Sequence, residues 1–557
     1  MPNQKKAVAY FSMEIGFEPR IPNYAGGLGV LAGDTVKAAA DLKVPMVAVT
    51  LVHNKGFFYQ ELAPDGTQIE HPAHWAKDDF LSPTGISVNV PVQGRNVKIT
   101  SLEYRVRGQT GFEVPIIFLD TDLPENNEYD RSITDYLYGK DNDYRLMQEI
   151  VLGIGGVRML AALGYDIDKY HMNEGHSAFI AIELYRQAKE QNPDFDAEAA
   201  LLFVKPKLIF TTHTPVPAGH DKFPIAKVKQ AIDFFPADHE DDITSEGNLN
   251  MTLLALHFSH YINGVAKRHG EISRGMYPGY PIDSITNGVH SATWTSSYMQ
   301  ELFDRYISGW KADSHSLRYA INIPDEELVV AHKKAKVEMI DFLNSRKNAG
   351  FDRDYFTIGF ARRSTPYKRA DLLLSDVNRL LRIHEKYGKI QIVFAGKAHA
   401  KDAAGKELIK RIYRLREPVK EKVRIIYMDN YDMILAKLLV AGVDLWVNTP
   451  RPPMEASGTS GMKAAHNGIP QLSTLDGWWL EGHIEGKTGW AVGDAKTAGD
   501  DVKDAESLYQ QLEKIIPIFY NSPAEWAGVM KSCIALNASF FNTHRMVQQY
   551  MANAYFH

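Results

Sequence analysis

Short apolar runs that alternate with longer amphipathic stretches constrain this chain more than any other feature. Such runs occupy residues 44–52, 207–211, 356–360, 390–395, 423–427 and 443–447. They are rich in β-branched residues and are separated by segments of helical period, a pattern that buries parallel strands under helices. Between Glu326 and Arg346 the residues Leu328, Val329, Ala331, Ala335, Met339, Ile340 and Leu343 keep close to a 3.6 period. Asp325 stands where it could cap that helix, and Gly350 lies just past its end. The expected fold class is α/β, with two Rossmann-like domains facing a cleft. The first covers residues 1–295 and the second 296–534, while a helical, aromatic-rich piece at 535–557 returns to the first domain. Open sheets of this kind bind ligands beyond the carboxyl ends of their strands.

A length of 557 residues suits a two-domain enzyme. The net charge of −6 argues against a nucleic-acid-binding surface. Cys533 is the only cysteine, which excludes an intrachain disulfide and a cysteine zinc site and fits a reducing compartment. The start, Met1-Pro-Asn-Gln-Lys-Lys, leads into a strand at Ala7 to Phe11 instead of an apolar signal segment. No window approaches the roughly 18 apolar residues that span a bilayer. The expectation is a cytoplasmic protein with no membrane or nucleic-acid partner, and a homo-oligomer is compatible with the chain.

Four stations could carry chemistry. In Glu455-Ala-Ser-Gly-Thr-Ser-Gly-Met-Lys463 a carboxylate suits sugar hydroxyls, small residues let amides approach an anion, and one lysine could hold a cofactor. In Asn23-Tyr-Ala-Gly26-Gly27-Leu-Gly29 the glycines allow close approach before a helix-compatible stretch, although a glycine loop alone signals little more than a turn. The strip Arg362-Arg363-Ser-Thr-Pro-Tyr-Lys368-Arg369 follows an apolar strand, so it reads as an anion clamp more readily than as a solvated face. His213 lies just beyond the strand at 207–211, where a satisfied loop histidine is an equally good reading. His171 and His176 are five apart and do not share a helical face, so no metal site is expected.

On these residues the chain resembles the α-glucan (glycogen/maltodextrin) phosphorylases from Ala7 to about Gly493. The resemblance implies a GT-B glycosyltransferase architecture and pyridoxal 5′-phosphate held as a Schiff base by Lys463. It implies that Gly27 faces substrate phosphate, with Gly26 beside the cofactor. By the same resemblance Arg363 and Lys368 would bind the substrate phosphate, and Arg362 and Thr459 would lie at the cofactor phosphate. His213 and His176 meet the sugar ring, Asn287 a glucose hydroxyl, and Glu455, Ser457 and Gly458 the O3 and O4 side. Tyr431 keeps the family spacing to Glu455, but Asp432 stands where many members carry Arg, and His466 where they carry Leu or Met. Trp478 and Trp479, after Asp476-Gly477, read as core more than as a sugar platform. The modest length points to a compact prokaryotic branch without the regulatory N-terminal extension.

The reaction so implied transfers glucose from an α-1,4-glucan to orthophosphate with retained configuration, giving glucose 1-phosphate. The incoming phosphate protonates the departing oxygen and attacks the same face, while the cofactor phosphate exchanges its proton. Two further readings use the same residues. One is a nucleotide-sugar glucosyltransferase of the glycogen-synthase type, which needs no lysine-bound cofactor. The other is a non-catalytic glucan-binding protein.

Overall fold

The apolar runs form strands buried on both faces, as strands covered by helices must be. All six residues of Met46–Leu51, Phe356–Ala361 and Ile390–Ala395 are buried. The computed structural model describes residues 6–139, 141–216, 219–494 and 499–556. Contacts divide the chain into two units: Met1–Phe58 with Pro72–Ile285 and Val547–His557, and Tyr59–His71 with Thr286–Met546.

The first unit is built on a nine-stranded sheet. From one edge its strands are Ile282–Ser284, Tyr261–Gly264, Leu208–Thr211, Ile167–Asn173, Ala7–Phe11, Met46–Leu51, Glu113–Asp120, Arg95–Arg107 and Ser82–Val92. Pairing is parallel up to Glu113–Asp120 and antiparallel over the last two strands. Ser82–Val92 alternates in exposure along much of its length, as an edge strand with one wet face does. Phe11, Phe118, Phe179, Phe210 and Phe258 are among the fully buried side chains of this unit.

The second unit holds a six-stranded, all-parallel sheet. Its strands in space are Arg424–Met428, Ile390–Ala395, Phe356–Ala361, Leu445–Asn448, Gln471–Thr474 and Gly489–Val492, so the chain order is 3-2-1-4-5-6. The order reverses between Phe356–Ala361 and Leu445–Asn448, where side chains of neighbouring loops can converge. At the opposite, amino-terminal end of these two strands helix Asp325–Lys347 is anchored by a buried carboxylate: Asp444 accepts from Lys336 at 2.6 Å and His332 at 2.9 Å. Asp325 lies in the first turn of that helix and makes no capping bond, and Asn348, with φ +47°, ends it before Gly350.

The unit boundaries differ from the sequence reading for reasons visible in side-chain bonds. Residues 286–295, expected with the first domain, are held by the second unit. Thr286 Oγ1 donates to Glu481 (2.8 Å), Ser291 Oγ meets His466 Nε2 (2.9 Å), and Asn467 Nδ2 donates to the Trp294 carbonyl (2.9 Å). Residues 59–71 join the second unit because Gln60 and Gln68 bond the Gly396 and Ala398 carbonyls. At the other end the change falls at Val547, not 535. The Tyr550 hydroxyl lies 3.0 Å from Thr211 Oγ1 and that of Tyr555 lies 2.7 Å from His171 Nδ1, all within the first unit. No helix among the described residues is long and apolar enough to cross a membrane.

Candidate functional site

In the first unit, three adjacent strands end together: Leu208–Thr211, Ile167–Asn173 and Ala7–Phe11. The loop after Ala7–Phe11 carries Glu14, 3% exposed, whose Oε2 accepts the amides of Ala25 (2.5 Å) and Gly26 (3.3 Å). Tyr138 donates to its other oxygen at 2.9 Å. This bracing shapes the glycine loop that opens helix Gly27–Asp41. A Cβ on Gly33 would come within 2.0 Å of the Gly16 carbonyl, whereas at Gly26 and Gly27 nothing lies within 4 Å. Gly33 therefore serves packing, while the Gly26 amide goes to Glu14 and Gly27 faces open space at a helix N-terminus that has no side-chain cap.

His213 and His176 stand in the same unit. Glu174 adopts φ +76°, a strained conformation for a residue with a side chain, and its Oε2 accepts the His213 amide (2.8 Å) and the Thr214 hydroxyl (2.9 Å). The His213 Nε2 lies 2.6 Å from Asn173 Oδ1. Burial pushes His213 down to about 3. Burial and the Arg145 charge push His176 down to about 4, with Asp221, 3.4 Å away, opposing. Both imidazoles are neutral at pH 7, which suits hydrogen bonds to sugar hydroxyls and not ion pairing.

In the second unit, Arg362 and Glu455 follow the two strands at the reversal of order. Arg362 Nη2 donates to Glu455 Oε2 at 2.6 Å, and the Lys368 ammonium bonds the same oxygen. Burial raises the Glu455 carboxyl, but the two cations outweigh it and bring it down to about 2. Nε and Nη1 of Arg362 are buried with no hydrogen-bond partner among the described residues. Arg363 is exposed and enters no ion pair among them. Buried donors without acceptors are rare, and a guanidinium fork of this kind suits an anion. Arg369, the last cation of the strip, turns inward instead to the carbonyls of Thr449 and Pro450 and to Asp501 and Asp504.

Gly458, with φ +74°, turns the chain from Glu455 and Ser457 toward Thr459, which precedes helix Ser460–Ala465. That helix has only six residues. Lys463, 8% exposed, holds its ammonium 3.9 Å from the centre of the Trp294 ring. His466 bonds Ser291, and Asn467 bonds the Ser296 amide and the Trp294 carbonyl, so the His466 departure helps seat Trp294 against the lysine. Asp432 caps helix Met433–Gly442 through the Leu435 amide, which gives that departure a structural task. Tyr431 stands beside it, between strand Arg424–Met428 and that helix. Asn287 falls in the second unit, and its Oδ1 is buried without a partner among the described residues. Trp478 and Trp479 are 3% and 1% exposed and belong to the core.

The sequence reading gave no role to Glu14, Glu174, Trp294 or Asp476. Asp476 Oδ2 accepts the Glu455 amide at 2.8 Å, and its D-G context was the signal available for it. A buried lysine beside an aromatic ring, with unmet guanidinium donors in the same unit, fits an aldehyde cofactor that bears a phosphate.

Residues 239–489 match the family model for carbohydrate phosphorylase. A maltodextrin phosphorylase of Thermococcus litoralis is 41% identical, over 100% of this chain and 71% of that protein. Glycogen phosphorylases of Aquifex aeolicus and Mycobacterium tuberculosis are each 35% identical, over 99% and 98% of this chain and 86% and 70% of theirs.

Proposed function

The chain belongs to the carbohydrate phosphorylase family, and from that premise we propose that it acts as an α-1,4-glucan phosphorylase using pyridoxal 5′-phosphate. It moves glucose from the non-reducing end of a glucan to orthophosphate and releases α-glucose 1-phosphate. The two units are read as the Rossmann-like lobes of a GT-B glycosyltransferase, with the C-terminal piece returning to the first. The observation that carries the reading is the set of unmet Arg362 donors beside Glu455, in the unit where Lys463 is buried against Trp294.

Lys463 would hold the cofactor, with Arg362, Thr459 and Tyr431 of the same unit toward it. When bound, pyridoxal 5′-phosphate supplies a phosphate that exchanges a proton with the substrate phosphate. Arg363 and Lys368 hold orthophosphate and offset the repulsion between two phosphates, a term that grows as water is excluded. Orthophosphate protonates the glycosidic oxygen and then bonds the anomeric carbon on the same face. Bond breaking builds oxocarbenium character, which the phosphate anion stabilises. Neutral His213 and His176 orient the sugar by hydrogen bonds, as does Asn287 through its free Oδ1. Glu455, kept ionised by its two cations, accepts from sugar hydroxyls on the Ser457 and Gly458 side.

The test pairs absorption spectroscopy with phosphorolysis for wild type and Lys463→Ala. Wild type is expected to carry a cofactor chromophore and the variant to lose both colour and activity. A colourless wild type that still releases glucose 1-phosphate would refute the cofactor assignment.

A further inference from the structure

One cluster of metal-ligating side chains in the first unit takes no part in the chemistry above. His239 ends a short turn at Ala237–His239, Asp242 lies on helix Glu240–Ile243, and His257 sits near the end of helix Met251–Phe258. One ligand atom from each lies within 4.8 Å of the others. His239 Nδ1 is 3.1 Å from His257 Nε2, which is 3.9 Å from Asp242 Oδ2. Two imidazoles on a tetrahedral zinc, with bonds of about 2.0–2.1 Å, hold their nitrogens about 3.4 Å apart. The pair is therefore spaced close to what a shared metal requires.

We propose that His239, Asp242 and His257 bind a divalent transition metal of the zinc class, with water completing the coordination. The rings are fixed by aromatic contacts: Tyr185 meets His239 edge-on at 5.3 Å, and Phe258 packs on both, at 5.5 and 5.1 Å. His239 is buried and Asp242 is exposed, so the imidazoles form a fixed floor and the carboxylate stands at an open rim through which an ion enters.

The metal's task is structural. Helix Met251–Phe258 starts against the Glu174–His176 turn, where a Cβ on Gly175 would stand 3.4 Å from Met251 Cβ. A metal at His257 ties down the other end of that helix.

The test uses the full chain, stripped by a chelator and then titrated with zinc by calorimetry and with cobalt(II) by visible absorption. Wild type is expected to bind one zinc per chain, to show a cobalt band and to gain thermal stability on zinc addition. Asp242→Asn should weaken zinc binding about tenfold or more, and His257→Ala should abolish it. Asp242 lies at the surface, so its variant decides the matter even where His257→Ala fails to fold. Equal zinc uptake by wild type and Asp242→Asn, or no uptake by wild type, overturns the proposal and leaves the pair a simple N–H···N hydrogen bond.

Discussion

Asp476 holds Glu455 by its backbone, accepting the amides of Glu455 at 2.8 Å and Gly477 at 3.0 Å. Burial and the neighbouring Glu455 charge raise its carboxyl to about 7, even though both amides favour the anion. A folded-state value above the unfolded one means that the native protein binds the extra proton between about pH 4 and 7. This contribution to stability is complete below the unfolded value and is lost as pH rises through 7. Glu455 behaves oppositely, since its value near 2 keeps it ionised throughout that window. Urea unfolding at pH 8 and 5.5 should therefore show wild type gaining about 1–2 kcal/mol more on acidification than Asp476→Asn. Equal gains would show that Asp476 does not titrate as described. The cations of this site were legible, because four of them follow one apolar strand. The convergence of Arg362 and Lys368 on one oxygen of Glu455 was not, because they lie 93 and 87 positions away from it in the chain. The inward turn of Arg369 was equally hidden, since its acceptors come from 449–450 and 501–504.

The glycine loop and its helix divide their glycines between two tasks. A Cβ at Gly33 collides with the Gly16 backbone, while one at Gly27 meets open space. Gly33→Ala should cost about 1–3 kcal/mol of stability by overpacking. Gly27→Ala should leave stability within about 0.5 kcal/mol and raise the KM for phosphate. Thermal unfolding of both variants decides: similar losses would mean that Gly27, too, is a packing residue. Helix Gly27–Asp41 was legible from the stretch after the loop, as was Asp325–Lys347 from its period, although the cap at Asp325 was misread. The antiparallel pair Arg95–Arg107 and Ser82–Val92 was not read at all. The wet face of Ser82–Val92 breaks up the apolar run by which buried parallel strands announce themselves.

For the molecule as a whole, alternation of strand and helix fixes the α/β class, but strand order and unit membership depend on contacts between distant residues. Residues 286–295 look like a continuation of the first sheet until Glu481, His466 and Asn467 are seen to hold them. The same distance in sequence separates Lys463 from the Trp294 ring that receives it. What ties these parts together is the proposed phosphate-dependent cleavage of an α-glucan. Phosphorus NMR of the purified protein with maltodextrin and inorganic phosphate tests it most directly. The expected result is growth of α-glucose 1-phosphate that stops when phosphate is withheld. No such signal, together with glucan elongation from a nucleotide sugar alone, would contradict it.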